Sequence, residues 1–225
     1  MTAAELMAEL QQDPAFVARE EQREEERERN RASYRRAARG LLDELAAAGF
    51  EVEAVADLRG RGRYPRAIPI LVRWLPRVDD AGVKEDIIRT LSVPWARGAT
   101  PLLLTEFEKA EDCSGTGLRW AIANALEVLA SDEIADELIR LAATPEYGAA
   151  RQMLVVSLGK LSVEGVDEVL IGLLSDDVVV GHAVMALGKR RAKAARSRIE
   201  TLLSHPKAWV RDEVKKALEQ IDATP

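Results

Sequence analysis

Apolar residues recur along the chain at spacings that place them on one side of a helix. Five copies of one pattern each end in a leucine. In each copy a small residue directly precedes the leucine, and apolar residues stand four and eight positions before it. Positions at such offsets share a helix face. The leucines are Leu91, Leu126, Leu158, Leu187 and Leu218. The small neighbour of each leucine predicts that adjacent helix axes approach closely at that point.

A second helical pattern precedes each leucine copy. It first runs from Ala67 to Leu75 and last from Ala195 to Leu203, with apolar residues again at helical spacing. Proline or short polar residues separate the helical runs, as at Thr144-Pro145, and such residues begin helices or form turns. The repeating unit is therefore helix, turn, helix, of roughly 30 residues. It predicts an all-α fold, an α-solenoid of about five helical pairs.

The N-terminal region follows a different pattern. A short helix is expected over residues 2–12, and Asp13-Pro14 then begins a long helix that Gly49 ends. Residues 19–31 are almost all charged, so this part is expected to stay in water, whereas Leu41, Leu42 and Leu45 are expected to dock. The predicted organisation is a helical extension (1–57), a basic loop (58–65) and the solenoid (66–225).

Composition argues against several classes of protein. Of 225 residues, 47% are hydrophobic but only 4% aromatic, which disfavours a sandwich or barrel of strands. A single cysteine cannot form an internal disulfide. No apolar run approaches the ~20 residues of a membrane helix, and the N-terminus lacks the basic and apolar regions of a signal peptide. A cytoplasmic protein that does not bind membranes is expected.

The two helical patterns also resemble those of a known family. Written as AxPxLxxLL and V(R)xxAxxAL over residues 66–223, they resemble HEAT repeats of the short bacterial kind, a type also found in phycobilisome lyases. The segments 17–50 and 64–75 are similar to an uncharacterised group of actinobacterial HEAT-repeat proteins. The resemblance implies a solenoid whose second helices line a concave surface. Val180 departs from the pattern, which usually has arginine there.

Cations occupy one position of the second pattern in four of its five copies, at Lys84, Arg119, Arg151 and Arg211. Two interpretations remain open. A stacked row of cations is a groove for an acidic partner or a phosphate backbone. Alternatively, the side chains bond to aspartates in neighbouring turns and stabilise the stack. Lys215, one turn beyond Arg211, is grouped with this row as a candidate partner-binding residue.

Aromatic and apolar residues supply further candidates. Trp120 stands beside the basic row, where an aromatic side chain suits either an interface hot spot or packing between repeats. His182 has the same two interpretations. Val155 and Val184 fall outside the core columns, so either their helices are covered on both sides or they form an exposed apolar floor.

Charge is distributed unevenly along the chain. The net charge is −6 overall, +5 over residues 58–100, −10 over 101–180 and +5 over 181–225. The two basic segments make a nucleic-acid-binding protein the main alternative, although phosphate contacts favour a basic chain over an acidic one.

No enzyme signature is recognisable. Trp120 is followed four residues later by Asn124 rather than the aspartate that HEAT-like DNA glycosylases carry, and SGTG at 114–117 lacks the lysine of a P-loop. Two histidines and one cysteine, Cys113 in an acidic loop, cannot complete a zinc site. A lyase-like chaperone stays open by analogy of fold alone. The sequence therefore predicts a non-catalytic protein-binding scaffold without cofactor or metal.

Overall fold

The computed structural model describes residues 2, 13–111 and 117–223, and within these ranges every regular element is helical. The expected helix before Asp13 and the loop around Cys113 lie outside the described residues. Eleven α-helices occur in the described ranges, joined by short 3₁₀ turns. They are α1 (Pro14–Ala47), α2 (Ile68–Trp74), α3 (Ala81–Leu91), α4 (Thr100–Lys109), α5 (Leu118–Leu129), α6 (Ala135–Ala142), α7 (Arg151–Leu158), α8 (Val166–Gly172), α9 (Val180–Arg190), α10 (Arg196–Glu200) and α11 (Ala208–Asp222).

Helices α2 to α11 form five consecutive pairs. In each pair the first helix packs on the second, as α4 does on α5 and α6 on α7. The second helices also stack in chain order, α3 on α5, α5 on α7, α7 on α9 and α9 on α11. Each pair therefore contacts mainly its neighbours, which is the arrangement of a helical solenoid. The predicted all-α solenoid is confirmed.

The leucine column of the second helices forms the centre of the stack. The first four leucines are 0% exposed, and the small residue beside each, such as Ala125 or Ser157, is equally buried. Leu218 of α11 is half-buried. Close approach of the helices is evident at Gly188, where an added Cβ would lie 2.8 Å from the Cα of Ala217. The small residues that precede the column leucines therefore set the distance between neighbouring second helices.

Polar contacts between groups about 30 residues apart repeat along the stack. Lys160 Nζ forms an ion pair with Glu127 at 2.5 Å, the Ser162 amide donates to Asp132 at 2.8 Å, and Lys207 Nζ donates to a carbonyl at 3.0 Å. Each of these contacts joins one pair to the next. They fix the register between repeats that apolar packing alone leaves adjustable.

Helix α1 is docked along only part of its length. The Asp13 carboxylate caps its first turn by accepting from the Ala15 amide at 2.9 Å, and Gly49 ends it with a φ of +90°. Its buried residues are Ala38, Leu41 and Leu45, which pack where α1 meets α2 and α3. Residues 14–33 contain no buried side chain. The charged half of α1 thus extends beyond its docked half.

A glycine fixes how the docked half approaches α2. An added Cβ at Gly40 would lie 2.6 Å from the ring of Trp74. The indole of Trp74 then donates through Nε1 to the carboxylate of Glu44 at 2.6 Å. The same carboxylate also pairs with Arg73. Gly40 therefore allows the indole to lie flat against α1 and reach Glu44.

Candidate functional site

One face of the second helices is left open to solvent by the stacking. Each inner second helix packs against its own first helix and against two neighbouring second helices, so only the remaining side meets water. We call this side of α5, α7 and α9 the second-helix face. The side chains that define it are Trp120, Asn124, Met153, Val156, His182 and Met185, which are half-buried or exposed.

The second-helix face is unusually apolar for an open surface. Met185 is 39% exposed, and Val156 occupies the equivalent position one repeat earlier, two residues before the column leucine. Met153 and Trp120 lie one turn before Val156 and Asn124, on α7 and α5 respectively. A polar residue is expected at such positions of a surface helix. The apolar side chains at these positions make this side of the stack the candidate binding surface.

An aromatic residue from the last repeat extends this surface. Trp209 of α11 is 44% exposed, and its ring lies where a Cβ on Gly181 would stand, 2.0 Å from the nearest ring atom. The same ring lies 5.4 Å from the His182 ring, inclined at 60°. The glycine in α9 therefore makes room for an indole that packs across two repeats and still presents one side to solvent.

His182 lies beneath that indole as a neutral ring. Burial lowers its pKa, and the charge of Glu213 offsets this only in part. Its Nδ1 is buried without a hydrogen-bond partner among the described residues. A neutral, half-buried imidazole against an indole is a packing and recognition group. It adds no positive charge to the second-helix face.

One member of the basic row predicted from sequence, Arg151, is internal, which corrects its assignment as a partner-binding residue. Arg151 is 2% exposed and pairs with Asp176 of the next repeat at 2.7 Å. It also donates to the Ala142 and Gly148 carbonyls at 3.3 Å each. A guanidinium needs such partners when buried, because it cannot lose its proton. Arg151 therefore holds two repeats together and is unavailable to a partner.

Arg119 and Arg211 have comparable internal partners. Arg119 donates to the Phe107 carbonyl at 3.1 Å and to the Ala110 carbonyl at the end of α4, and its guanidinium lies 5.0 Å from the Tyr147 ring centre. Arg211 donates to two carbonyls of the preceding turn, at 2.7 and 3.0 Å. Arg119 thus satisfies carbonyls at the end of α4, which lack intrahelical partners. Arg211 instead ties α11 to the turn before it.

The two lysines of the predicted set remain at the surface. Lys84 on α3 is half-buried, and its ammonium group makes no ion pair or hydrogen bond with any described residue. Lys215 on α11 is exposed and pairs with Asp212 within its own helix at 3.4 Å. These two lysines lie in the first and fifth repeats, on α3 and α11, and α5, α7 and α9 are stacked between those two helices.

The apolar floor predicted at Val155 and Val184 is wrong for these two residues. Both are 0% exposed. They lie three residues before the column leucine, on the side of the helix that packs against the neighbouring second helix, so the stack covers them. Their neighbours Val156 and Met185 point to solvent instead. The apolar surface exists, shifted by one position along each helix.

A cleft between α1 and the start of the stack was not predicted from sequence. It measures about 860 Å³, and we call it the arginine cleft. One wall is α1, and the other consists of the turn at 53–57 and α3. The residues that line it are Arg27, Asn30, Arg31, Tyr34, Arg35, Glu53, Ala54, Asp57 and Asp86. The signal in the sequence was the spacing of three arginines four residues apart on α1.

The basic loop at 58–65 is occupied by internal contacts. Arg59 pairs with Asp86 at 3.4 Å, Arg61 donates to the Glu51 carbonyl, and Arg63 lies 5.1 Å from the ring centre of Trp95. These contacts hold the loop against α3 and the first turn of the next repeat. All three arginines are still exposed, so nucleic-acid binding through this basic segment stays a prediction.

No cluster of three or more histidine, cysteine, aspartate or glutamate side chains in the described ranges has the proximity that a metal ion requires. None of the helices in those ranges is both long enough and apolar enough to cross a bilayer.

Known proteins offer a likeness of shape only. No protein-family model matches the sequence, and no curated protein matches it. An engineered protein known from a crystal structure aligns with 75% of this chain and 87% of its own, at 19% identity and a TM-score of 0.48. A designed armadillo repeat protein aligns with 85% and 92%, at 18% identity and a TM-score of 0.45. The solenoid assignment therefore rests on the helix pairing of this chain itself.

Proposed function

We propose that the protein is a non-catalytic interaction module that binds a protein partner on its second-helix face. The observation that carries this proposal is the run of solvent-facing apolar side chains on successive second helices, from Trp120 through Val156 to Met185, continued by Trp209. Solenoids present extended surfaces of this kind, since each repeat contributes one helix to the same side. Aromatic and methionine side chains are enriched at protein interfaces.

A cytoplasmic bacterial protein related to short HEAT repeats would use such a face to bind another protein. Nucleic-acid binding is the second sequence-based function. The described structure favours it less, because most arginines of the basic row and of the 58–65 loop already bond to internal acceptors.

The proposal is tested by comparing two variants with the wild-type chain in affinity capture from lysate of the source organism. Met185→Glu places a charge on the second-helix face, whereas Leu203→Glu changes a residue of similar exposure, 42% against 39%, in the 3₁₀ turn after α10. We expect M185E to lose a captured protein that wild type and L203E both retain. A buried charge in an interface costs several kcal/mol unless it is paired.

Nuclease treatment of half the lysate separates the two functions. A protein captured in both halves, and lost only with M185E, supports the proposal. Capture that is equal for M185E and wild type, or that disappears with nuclease, contradicts it.

A further inference from the structure

We propose that the arginine cleft binds an extended acidic segment of the partner, with carboxylates at every second residue. The inference deepens the proposed function and rests on it, because the cleft continues the second-helix face at its N-terminal end. Asp86, which lines the cleft, stands five residues before its column leucine, the same position as Met153 and His182 in later repeats.

The inner side of α1 changes character where the helix leaves the stack. Ala38, Leu41 and Leu45 are buried, and the same side continues toward the N-terminus as Tyr34, Arg31 and Arg27 at steps of three to four residues. These side chains line the cleft. Glu25, Glu28 and Arg29 line a separate recess with Ala32 on the far side of the helix. The α1 residues that line the cleft thus include three arginines and no carboxylate, while Glu24 of the same helix pairs with Arg27 and Arg31.

The carboxylates of the opposite wall are already committed to internal donors. Asp57 accepts from the amides of Glu53 and Ala54 at 3.0 and 2.9 Å. Asp86 accepts from the Tyr34 hydroxyl at 2.9 Å and pairs with Arg59 at 3.4 Å. This wall therefore does not neutralise the arginines that face it at Arg27 and Arg31.

The arginines are held only by weak surface pairs. Arg27 and Arg31 share one carboxylate, that of Glu24, at 3.0 and 3.9 Å, and Arg35 pairs with Glu53 at 2.7 Å. All of these side chains are at least 52% exposed. Exposed pairs of this kind contribute roughly 0–1 kcal/mol. An incoming carboxylate can therefore replace Glu24 or Glu53 at little cost, and it gains the forked geometry that guanidinium offers.

Spacing selects an extended acidic segment. Residues four apart on a helix rise about 6 Å along its axis, and alternate residues of an extended chain are about 6.7 Å apart. Arg27, Arg31 and Arg35 can therefore each meet one carboxylate of an extended segment. The intervening side chains of such a segment point to the other side, toward Glu53, Asp57 and Asp86. Because the side chains of an extended peptide alternate between its two sides, it can present carboxylates to the arginines and uncharged side chains to these three carboxylates.

The test uses the full chain and two fluorescent peptides of equal length and composition, SESESES and ESSESSE, read by anisotropy at low ionic strength. The first has glutamates at alternate positions and the second has them at every third position. We expect wild type to bind SESESES at least about threefold more tightly than ESSESSE. The double variant R27E/R31E should lose roughly tenfold or more in affinity for SESESES.

The matched control is R29E/R36E, which makes the same change in net charge at two exposed arginines of α1 that do not line the cleft. It should bind SESESES within about twofold of wild type. An equal loss in both double variants would reduce the effect to general electrostatics and overturn the proposal. Failure of wild type to bind either peptide, or equal binding of both, would also overturn it.

Two further outcomes separate this inference from the proposed function. A single-stranded oligonucleotide can be measured in the same assay. If it binds wild type, loses affinity for R27E/R31E, and SESESES does not bind, then the ligand of the cleft is a nucleic acid and not an acidic peptide. If M185E loses the captured protein while R27E/R31E keeps it at full affinity, the second-helix face stands as the binding surface and the cleft is excluded from it.

Discussion

At the scale of single residues, buried polar groups hold the stack in register. Arg151 is the clearest case, since its guanidinium lies inside the protein and is shared between its own repeat and the next. Its partner Asp176 also accepts from the Val178 amide at 2.9 Å. Burial raises the pKa of Asp176, but the hydrogen bonds from Arg151 and the backbone amides, with the charge of Arg151, outweigh burial and bring the pKa below its ordinary value.

This lowered pKa makes the contribution of Asp176 to stability depend on pH. A carboxyl with a depressed folded pKa stabilises the fold above its unfolded pKa, about 3.9, and that stabilisation is lost as pH falls through the folded pKa. We expect Asp176→Asn to lose about 2 kcal/mol of unfolding free energy at neutral pH, the value of a charge-assisted hydrogen bond. Thermal unfolding of both chains across pH measures the difference.

The gap between wild type and D176N should stay constant from about pH 8 to 5 and close below about pH 4. Exposed Asp212 provides the control, because its Asn variant should match wild type at every pH to within about 0.5 kcal/mol. If the difference in unfolding free energy between wild type and D176N is still as large at the lowest pH at which both chains fold, the charge of Asp176 is not its source.

At the scale of elements, the two halves of α1 are stabilised by different interactions. Its docked half is stabilised by burial of Leu41 and Leu45, whereas its charged half relies on ion pairs one turn apart, such as Arg23 with Glu20 at 2.5 Å. Such pairs contribute about 0.2–0.5 kcal/mol each. The charged half is therefore a helix continued from a docked base, since an isolated helix of this length is marginal in water.

Removal of residues 1–29 should leave the stability of the stack unchanged. The deleted part of α1 contains no buried side chain, so the melting temperature should shift by less than about 2 °C while helical circular dichroism falls. Leu41→Ala is the positive control, because truncation of a fully buried leucine costs about 2–5 kcal/mol. A large loss of stability on deletion would mean that the charged half docks on the stack in solution.

At the scale of the whole molecule, stability is distributed repeat by repeat. The inner second helices have a neighbour on both sides, whereas α11 has only α9. The column leucine of α11, Leu218, is half-buried, whereas the other four column leucines are fully buried. In such linear stacks, stability is close to a sum of repeat and interface terms, so local damage at an end stays local.

Hydrogen exchange can measure this difference between the end and the centre. Val214 in α11 and Val155 in α7 are both 0% exposed, so valine-to-alanine changes at the two positions remove similar groups. We expect V214A to lower amide protection mainly in α10 and α11 and V155A to lower it in α5, α7 and α9 together. If V214A lowers protection evenly along the whole stack, the repeats unfold as one cooperative unit and the nearest-neighbour description fails.

The architecture could be predicted from the sequence because helical periodicity is a local property. The leucine column, its small neighbour and the first-helix pattern each lie within one or two turns of chain, and they specified five pairs and their close stacking. The cap at Asp13 and the stop at Gly49 follow from equally local backbone chemistry.

The surface could be predicted only in part. Sequence indicated an apolar excess on α7 and α9, but the choice between Val155 and Val156, or between Val184 and Met185, depends on the angle at which the next helix packs. Tertiary structure alone decided that Arg151 is internal, because its acceptors are nine and twenty-five residues away in sequence. It alone brought the arginines of α1 opposite Asp86 of α3. Local periodicity therefore determined the helices, and packing between repeats determined which side chains remain available for binding.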